Sequence, residues 1–258
     1  MKWLRYRPQG GAPGSEGFGT LDGDRVRVFA GNLFDAPQPT GETLTLAAVD
    51  LLAPCRPGKI VGMWNNFRAA AEKNGWAAPI DPLYFMKSPS SLAGPGQPIA
   101  VPASYGGRVA YEGELAVVIG RQARAVALAD AAAHVFGYTL ANDVTAIELL
   151  QRDPSFAQWT RAKSFDGFCP LGPVIETEFN PADAHLRTLV AGRERQHYAL
   201  ADMFFSPAEL VSRLSQDMTL EAGDVILCGT SLGVLPMKPG SQVEVVVDGI
   251  GVLQNRYG

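Results

Sequence analysis

Two carboxylates two residues apart, Glu112 and Glu114, flank Gly113 at the head of the apolar run Leu115-Ala116-Val117-Val118-Ile119. The run is bounded by glycine and reads as a buried strand. Side chains two apart on a strand share a face, so the two carboxylates project side by side. Adjacent carboxylates repel, and burial raises at least one pKa unless water or a cation relieves the pair. A metal ion is one account of the arrangement. The other is the solvated end of a strand that becomes buried only from Leu115 onward. A third carboxylate, Asp143, follows Phe136-Gly137-Tyr138-Thr139-Leu140-Ala141-Asn142, which is aromatic and β-branched enough for a strand. It could simply cap a helix over residues 144–150. Taken with Glu112 and Glu114, it would complete an all-oxygen site suited to a hard divalent cation, Mg2+, Mn2+ or Ca2+. No Cys/His set competes as a zinc site.

The elements that must position these groups can be followed along the chain. Residues 1–55 read as short strands near 3–7, 17–21 and 25–29, with an Asp22-Gly23-Asp24 hairpin turn. Pro37, Pro39 and Gly41 mark a loop, and residues 46–52 lead to Pro54 and Pro57. This stretch carries no chemistry and reads as a small β cap. Residues 59–64 form a strand, Asn65-Asn66 a cap, and 67–74 a helix ending at Gly75. Arg68, Glu72 and Lys73 are its polar candidates, and a solvated helix face explains them equally well. Residues 186–196 form a hairpin followed by a mobile loop that holds His197. Ser206, Pro207 and Glu209 spell a capping box for a helix over 206–215. Residues 224–228 form a buried strand ending at Gly229-Thr230-Ser231, whose amides and hydroxyls can bind a carboxylate. A loop over 233–240 and two strands close the chain.

At 258 residues, 47% hydrophobic and 19% charged, the chain can bury a substantial core. A formal charge of −4 and the lack of a basic run argue against a nucleic-acid partner. No apolar stretch approaches a membrane span, and the charged, aromatic N-terminus is unlike a signal peptide, so a soluble cytoplasmic protein is the expectation. Cys55, Cys169 and Cys228 are odd in number and widely spaced, which fits a reducing compartment.

Seven segments then align in order. They are Lys59-Ile60-Val61-Gly62, Phe85-Met86-Lys87-Ser88, Tyr111 to Gly120, Tyr138 to Asp143, Trp159 to Pro173, Gly223 to Thr230, and Gly249 to Asn255. In these the chain resembles the fumarylacetoacetate hydrolase family from about Lys59 to the C-terminus. The resemblance implies an α+β fold of layered mixed β-sheets with a few helices (58–258), preceded by a small β-rich N-terminal domain (1–57). It implies Mg2+ (or Mn2+) on Glu112, Glu114 and Asp143, with Lys163 as the cationic partner of an anionic substrate oxygen. Lys87, Arg161, Gly229 and Thr230 become substrate contacts, and a homodimer is expected.

The chain departs from the family pattern in two places. Ala70 stands where a water-activating His aligns and Lys73 where its Glu partner does, with Glu72 one position away. Ile147 and Leu150 replace the usual substrate-facing Arg and Gln. The implied activity is metal-dependent hydrolysis of a C–C bond in a small 2-oxo or diketo acid of aromatic catabolism. Isomerisation or decarboxylation through a metal-stabilised enolate is the alternative that the missing His favours. A non-catalytic member that binds an oxo acid is a third.

Overall fold

In the computed structural model, which describes all 258 residues, the run after Glu114 lies at the centre of the molecule. The strand Gly113–Ile119 is buried along its whole length. Val135–Asn142 flanks it antiparallel on one side and Val225–Leu227 on the other. Burial on both faces explains why the segment is continuously apolar rather than alternating. Its side chains still alternate. Leu115, Val117 and Ile119 enter a cluster of 32 buried residues, while Ala116 and Val118 enter a second cluster with Trp3, Ile60, Leu171 and Ile175.

The surrounding sheet has twelve strands and continues through Ile60–Trp64 to Leu83–Lys87 at one end. At the other it runs through Cys169–Glu176 and Lys2–Pro8 to Asp35–Thr45. The N-terminal strands are thus joined to the rest by main-chain pairing, Lys2 with Glu176 and Trp3 with Ile175. Leu4, Tyr6, Val26 and Val28 share the large core cluster with Leu115. A second sheet of five strands contains Arg193–Ala199, His185–Val190, Gln242–Val247, Gly251–Tyr257 and Pro98–Ile99. It contributes Leu186, Val245, Val247 and Leu253 to the same core. The helix Pro207–Asp217 lays Leu210, Val211 and Leu214 on it, started by the expected capping box. The architecture is α+β, mixed sheets with few helices.

Four expectations about local structure are corrected. Residues 35–45 are a strand and not a loop. It is the outermost strand of its sheet, where proline's missing N–H faces solvent, and its register shifts twice against Arg25–Asn32. Residues 144–150 form no α-helix: Thr145–Ala146 pairs with Val109–Ala110, and one 3-10 turn follows at Ile147–Leu149. His197 sits in the strand Arg193–Ala199, half-exposed against His185, rather than in a mobile loop. Asn66 does not cap the helix Arg68–Asn74, because its amide already bridges Phe205 and Cys228. Phe67 takes the cap position, and Asp202 accepts from the Ala69 N–H instead.

Candidate active site

Glu112 precedes the central strand and Glu114 is its second residue, while Asp143 follows the end of the neighbouring strand. Antiparallel pairing places Gly113 opposite Asn142. Main-chain and side-chain bonds lock this corner. The Asp143 N–H donates to the Glu112 carbonyl at 2.8 Å, and the Glu112 N–H donates to Asn142 Oδ1 at 2.9 Å. One oxygen from each carboxylate lies within 4.8 Å of the others.

Two lysines reach the cluster. Lys163, from the short helix Trp159–Lys163, donates to Glu112 Oε2 at 2.8 Å and to Asp143 Oδ2 at 2.5 Å. Its ammonium also stands 4.9 Å from the centre of the Phe85 ring. Lys87, the last residue of its strand, donates to Asp143 Oδ1 at 2.7 Å and to the Lys163 carbonyl. Both lysines are 2% exposed or less, whereas Lys163 by sequence alone reads as a surface residue. Thr145 Oγ1 donates to Glu112 Oε1 at 2.6 Å. Glu114 Oε2 accepts from the Gly229 N–H at 2.7 Å. Gly229 holds φ +90°, which other residues rarely adopt, so the amide's aim depends on glycine.

The charges follow from this geometry. Burial pushes Glu112 up, and the Lys163 ammonium only partly offsets it. Burial pushes Glu114 well above the usual range, and the neighbouring Asp143 and Glu112 push it further. Burial alone would also raise Asp143, but Lys163 and Lys87 together hold it below the ordinary value. Lys163 is raised: burial opposes its charge, but Asp143, Glu112 and Glu114 outweigh burial.

The donor set fits a hard divalent cation. Three carboxylates face two ammoniums, so one carboxylate has no cation to balance it and burial drives Glu114 toward its protonated form in the metal-free protein. Glu114 Oε1 is buried and has no hydrogen-bond partner. An ion bound there would give that oxygen a partner and favour the ionised form of Glu114.

Beside the carboxylates lies a cavity of about 480 Å³. Glu112, residues 230–235, Trp64, Ala70, Lys73 and Trp76 are among the residues that line it. Thr230 lines it, donating to the Gly113 carbonyl and accepting from Gln196 Nε2 at 2.8 Å. The structure therefore brings together Glu112, Glu114, Asp143, Lys163, Lys87, Gly229 and Thr230. It does not bring Glu72 or Arg161 to them. Ala70, Lys73 and Asn74 share the helix face toward the cavity, and Glu72 falls on the solvent side of the same helix. Arg161 is exposed, two residues and about 200° around its helix from Lys163.

Gln196 was missed. Its Oε1 accepts from the Gly113 N–H at 3.0 Å, so one amide ties the carboxylate strand to Thr230. The alternation that points Gln196 and Tyr198 inward is visible in Arg195-Gln196-His197-Tyr198, but only once the segment is read as a strand.

Residues 59–257 match the family model for the fumarylacetoacetate (FAA) hydrolase C-terminal domain, and residues 1–54 match an Rv2993c-like N-terminal model. The chain belongs to the fumarylacetoacetate hydrolase family. Among its relatives in that family, the oxaloacetate tautomerase YisK of Bacillus subtilis is 37% identical over 256 residues, covering 92% of this chain and 84% of that protein. The 4-hydroxyphenylacetate degradation bifunctional isomerase/decarboxylase of Escherichia coli is 38% identical, covering 91% of this chain and 55% of that protein. A crystal structure of 5-carboxymethyl-2-hydroxymuconate delta-isomerase from Mycobacterium smegmatis superposes with a TM-score of 0.90. That enzyme is 39% identical, and the match covers 100% of this chain and 99% of the other.

Proposed function

We propose that the protein is a divalent-metal-dependent isomerase that interconverts enol and keto forms of a small 2-oxo acid. The observation that carries this is the cavity wall, which includes no histidine and a single carboxylate, Glu112, already held by Lys163 and Thr145. Hydrolysis of a C–C bond needs an activated water and a general base to form it. An enol–keto shift moves one proton between oxygen and carbon and breaks no C–C bond. The isomerase and tautomerase relatives support the same reading, so hydrolysis, the first expectation from the resemblance, takes second place.

Glu112, Glu114 and Asp143 would hold Mg2+ or Mn2+, which when bound supplies a Lewis acid for the 2-oxo acid head and its enolate. Lys163, whose pKa the surrounding carboxylates raise against burial, offers positive charge to a developing enolate oxygen. Lys87 neutralises Asp143 and so keeps Lys163 from being wholly engaged by it. Thr230 lines the cavity with a hydroxyl whose proton goes to the Gly113 carbonyl and which accepts from Gln196, so it holds the turn after Gly229 in place beside the substrate. The expected setting is a cytoplasmic homodimer acting in the breakdown of aromatic compounds.

The test is a spectrophotometric turnover assay of the purified protein with Mg2+, with Mn2+ and with EDTA. Enol oxaloacetate, a 2-hydroxymuconate-type dienoate and an acylpyruvate are the substrates. Metal-dependent loss of the enol chromophore with carbon count intact is expected. Pyruvate release from the acylpyruvate would restore the hydrolase, carbon dioxide release would indicate a decarboxylase, and silence on all three would leave an oxo-acid-binding protein.

A further inference from the structure

The N-terminal strands carry a basic cluster apart from the carboxylates. Arg5 and Arg7 are two apart on the strand Lys2–Pro8, so their side chains share a face. Glu16, just before the strand Gly17–Asp22, joins them: its Oε1 accepts from Arg7 Nη2 at 2.8 Å and its Oε2 from Arg5 Nη2 at 3.2 Å. Arg56, from the segment that leads to Ile60–Trp64, also donates to Glu16 Oε2. Three guanidiniums thus converge on one carboxylate and leave an excess of two positive charges. The place is largely enclosed, since the side chains of Arg5 and Glu16 are 17% and 18% exposed. Burial lowers Arg5 from its ordinary value and the Arg56 charge lowers it further, with Glu16 only partly offsetting them. The Nε of Arg7 is buried and has no hydrogen-bond partner, whereas buried polar atoms are almost always satisfied. A cavity of about 250 Å³ has Arg5, Arg7, Glu16, Arg56 and Gln97 in its lining. A second, of about 480 Å³, shares Arg5, Glu16 and Arg56 and adds Phe18, Leu33 and Phe34. Neither has a lining residue in common with the cavity beside Glu112.

We propose that the three arginines form a second binding site, for a phosphoryl dianion, supplied as inorganic phosphate or as the phosphate ester of a small metabolite. Guanidinium forks match phosphate oxygens, and arginines gathered by a shared carboxylate are preorganised for a multiply charged anion. Two negative charges balance the excess, and the phosphoryl oxygens take donors that Glu16 leaves free, Arg7 Nε among them. Phe18, Leu33 and Phe34 offer apolar surface to the organic part of an ester. Arg5, Arg7 and Glu16 belong to the N-terminal strands and Gln97 to the rest of the chain, so a ligand held among them stabilises the two together. The site stands independently of the oxo-acid reading.

Calorimetric titrations and melting curves in EDTA, which keeps phosphate from meeting a metal ion at the carboxylates, test the site. Inorganic phosphate and phenyl phosphate are the probes, with acetate and chloride at equal ionic strength as controls. The phosphate compounds are expected to bind and to raise the melting temperature where the controls do not. Arg56→Gln, at a side chain 67% exposed whose loss leaves folding intact, should weaken that binding about tenfold or more, the scale of one charge-assisted contact. Arg7→Gln should do the same. Glu16→Gln should melt below the parent in chloride, because three arginines lose their shared counter-charge, and should gain more than the parent from phosphate. Tighter binding of phenyl phosphate than of phosphate assigns the site to an ester, and equal or weaker binding assigns it to the free anion. If neither phosphate compound binds more tightly than acetate, or if their affinity survives both Arg56→Gln and Arg7→Gln, the site is overturned and the arginines serve only to hold Glu16.

Discussion

Lys163 and Glu114 are the residues at which the site can be tested most sharply, because each is buried and each answers to charge. Replacing Lys163 with Met removes the ammonium that neutralises Glu112 and Asp143 while keeping its length. Breaking a buried ion pair from one side leaves an uncompensated charge and costs about 3–5 kcal/mol. Urea unfolding in EDTA should therefore show a loss on that scale, and Mg2+ should return part of it by taking over the orphaned carboxylates. A metal-free variant as stable as the parent would mean that the lysine is dispensable to the cluster. Glu114→Gln tests the other side. It keeps the bond to the Gly229 amide and removes the negative charge from the oxygen that lacks a partner. The variant should melt at the parent's temperature or above in EDTA and gain little from Mg2+. Its metal affinity should fall by more than the roughly 10- to 100-fold that losing an outer-shell partner costs. An undiminished thermal shift with Mg2+ would move the ion elsewhere.

At the scale of elements, Gly113 shows how the second sheet sets the spacing of the carboxylates. A Cβ there would lie 2.1 Å from Thr188 Oγ1 and 3.2 Å from Leu186 Cδ2. Gly113→Ala must displace the Thr188 side chain or push the central strand away from that sheet, at a cost of about 1–3 kcal/mol for the overpacking. Glu112 and Glu114 flank the glycine, so metal affinity measured by Mn2+ titration should drop even where the variant still folds. Retained affinity in a destabilised variant would detach the site from the sheet packing. The run 115–119 was legible because burial on both faces leaves a continuous apolar signature, and the capping box of Pro207–Asp217 because its signal is local. The strand Asp35–Thr45 was not, because its prolines mark a turn unless the strand is known to be an edge. The same holds for the segment after Asp143, where Thr145 pairs with Ala110, 35 positions earlier. Burial of Lys87 and Lys163 lay outside any local pattern: the resemblance pointed to both positions, but only the three-dimensional pairing of four segments shows that they are enclosed.

At the scale of the whole molecule, the N-terminal strands are part of the sheet that carries the site, so residues 59–258 expressed alone should not behave as a stable unit. Their loss strips the pairing edge of Cys169–Glu176 and removes Leu4, Tyr6, Val26 and Val28 from the shared core. Sedimentation should show aggregation, and a monodisperse, cooperatively melting fragment would refute this. The pH dependence of stability is also a whole-molecule property, and its sign follows from the buried carboxyls. Glu112 and Glu114 are raised in the fold, so the fold favours their protonated forms. Their contribution to stability is complete below the ordinary carboxylate range and is lost as pH rises through the raised values. Asp143, lowered, works in the opposite sense: its contribution is present above the ordinary range and is lost on acidification. From the ordinary carboxylate range upward, two groups therefore act against the metal-free protein, while Asp143 is already ionised and contributes no further change. A divalent cation binds the ionised forms, and its stabilisation grows with its effective affinity. Melting curves with Mg2+ and with EDTA should therefore diverge as pH rises through that window and converge at its acid end. A gap that stays constant across the window would place the ion on groups other than these carboxylates.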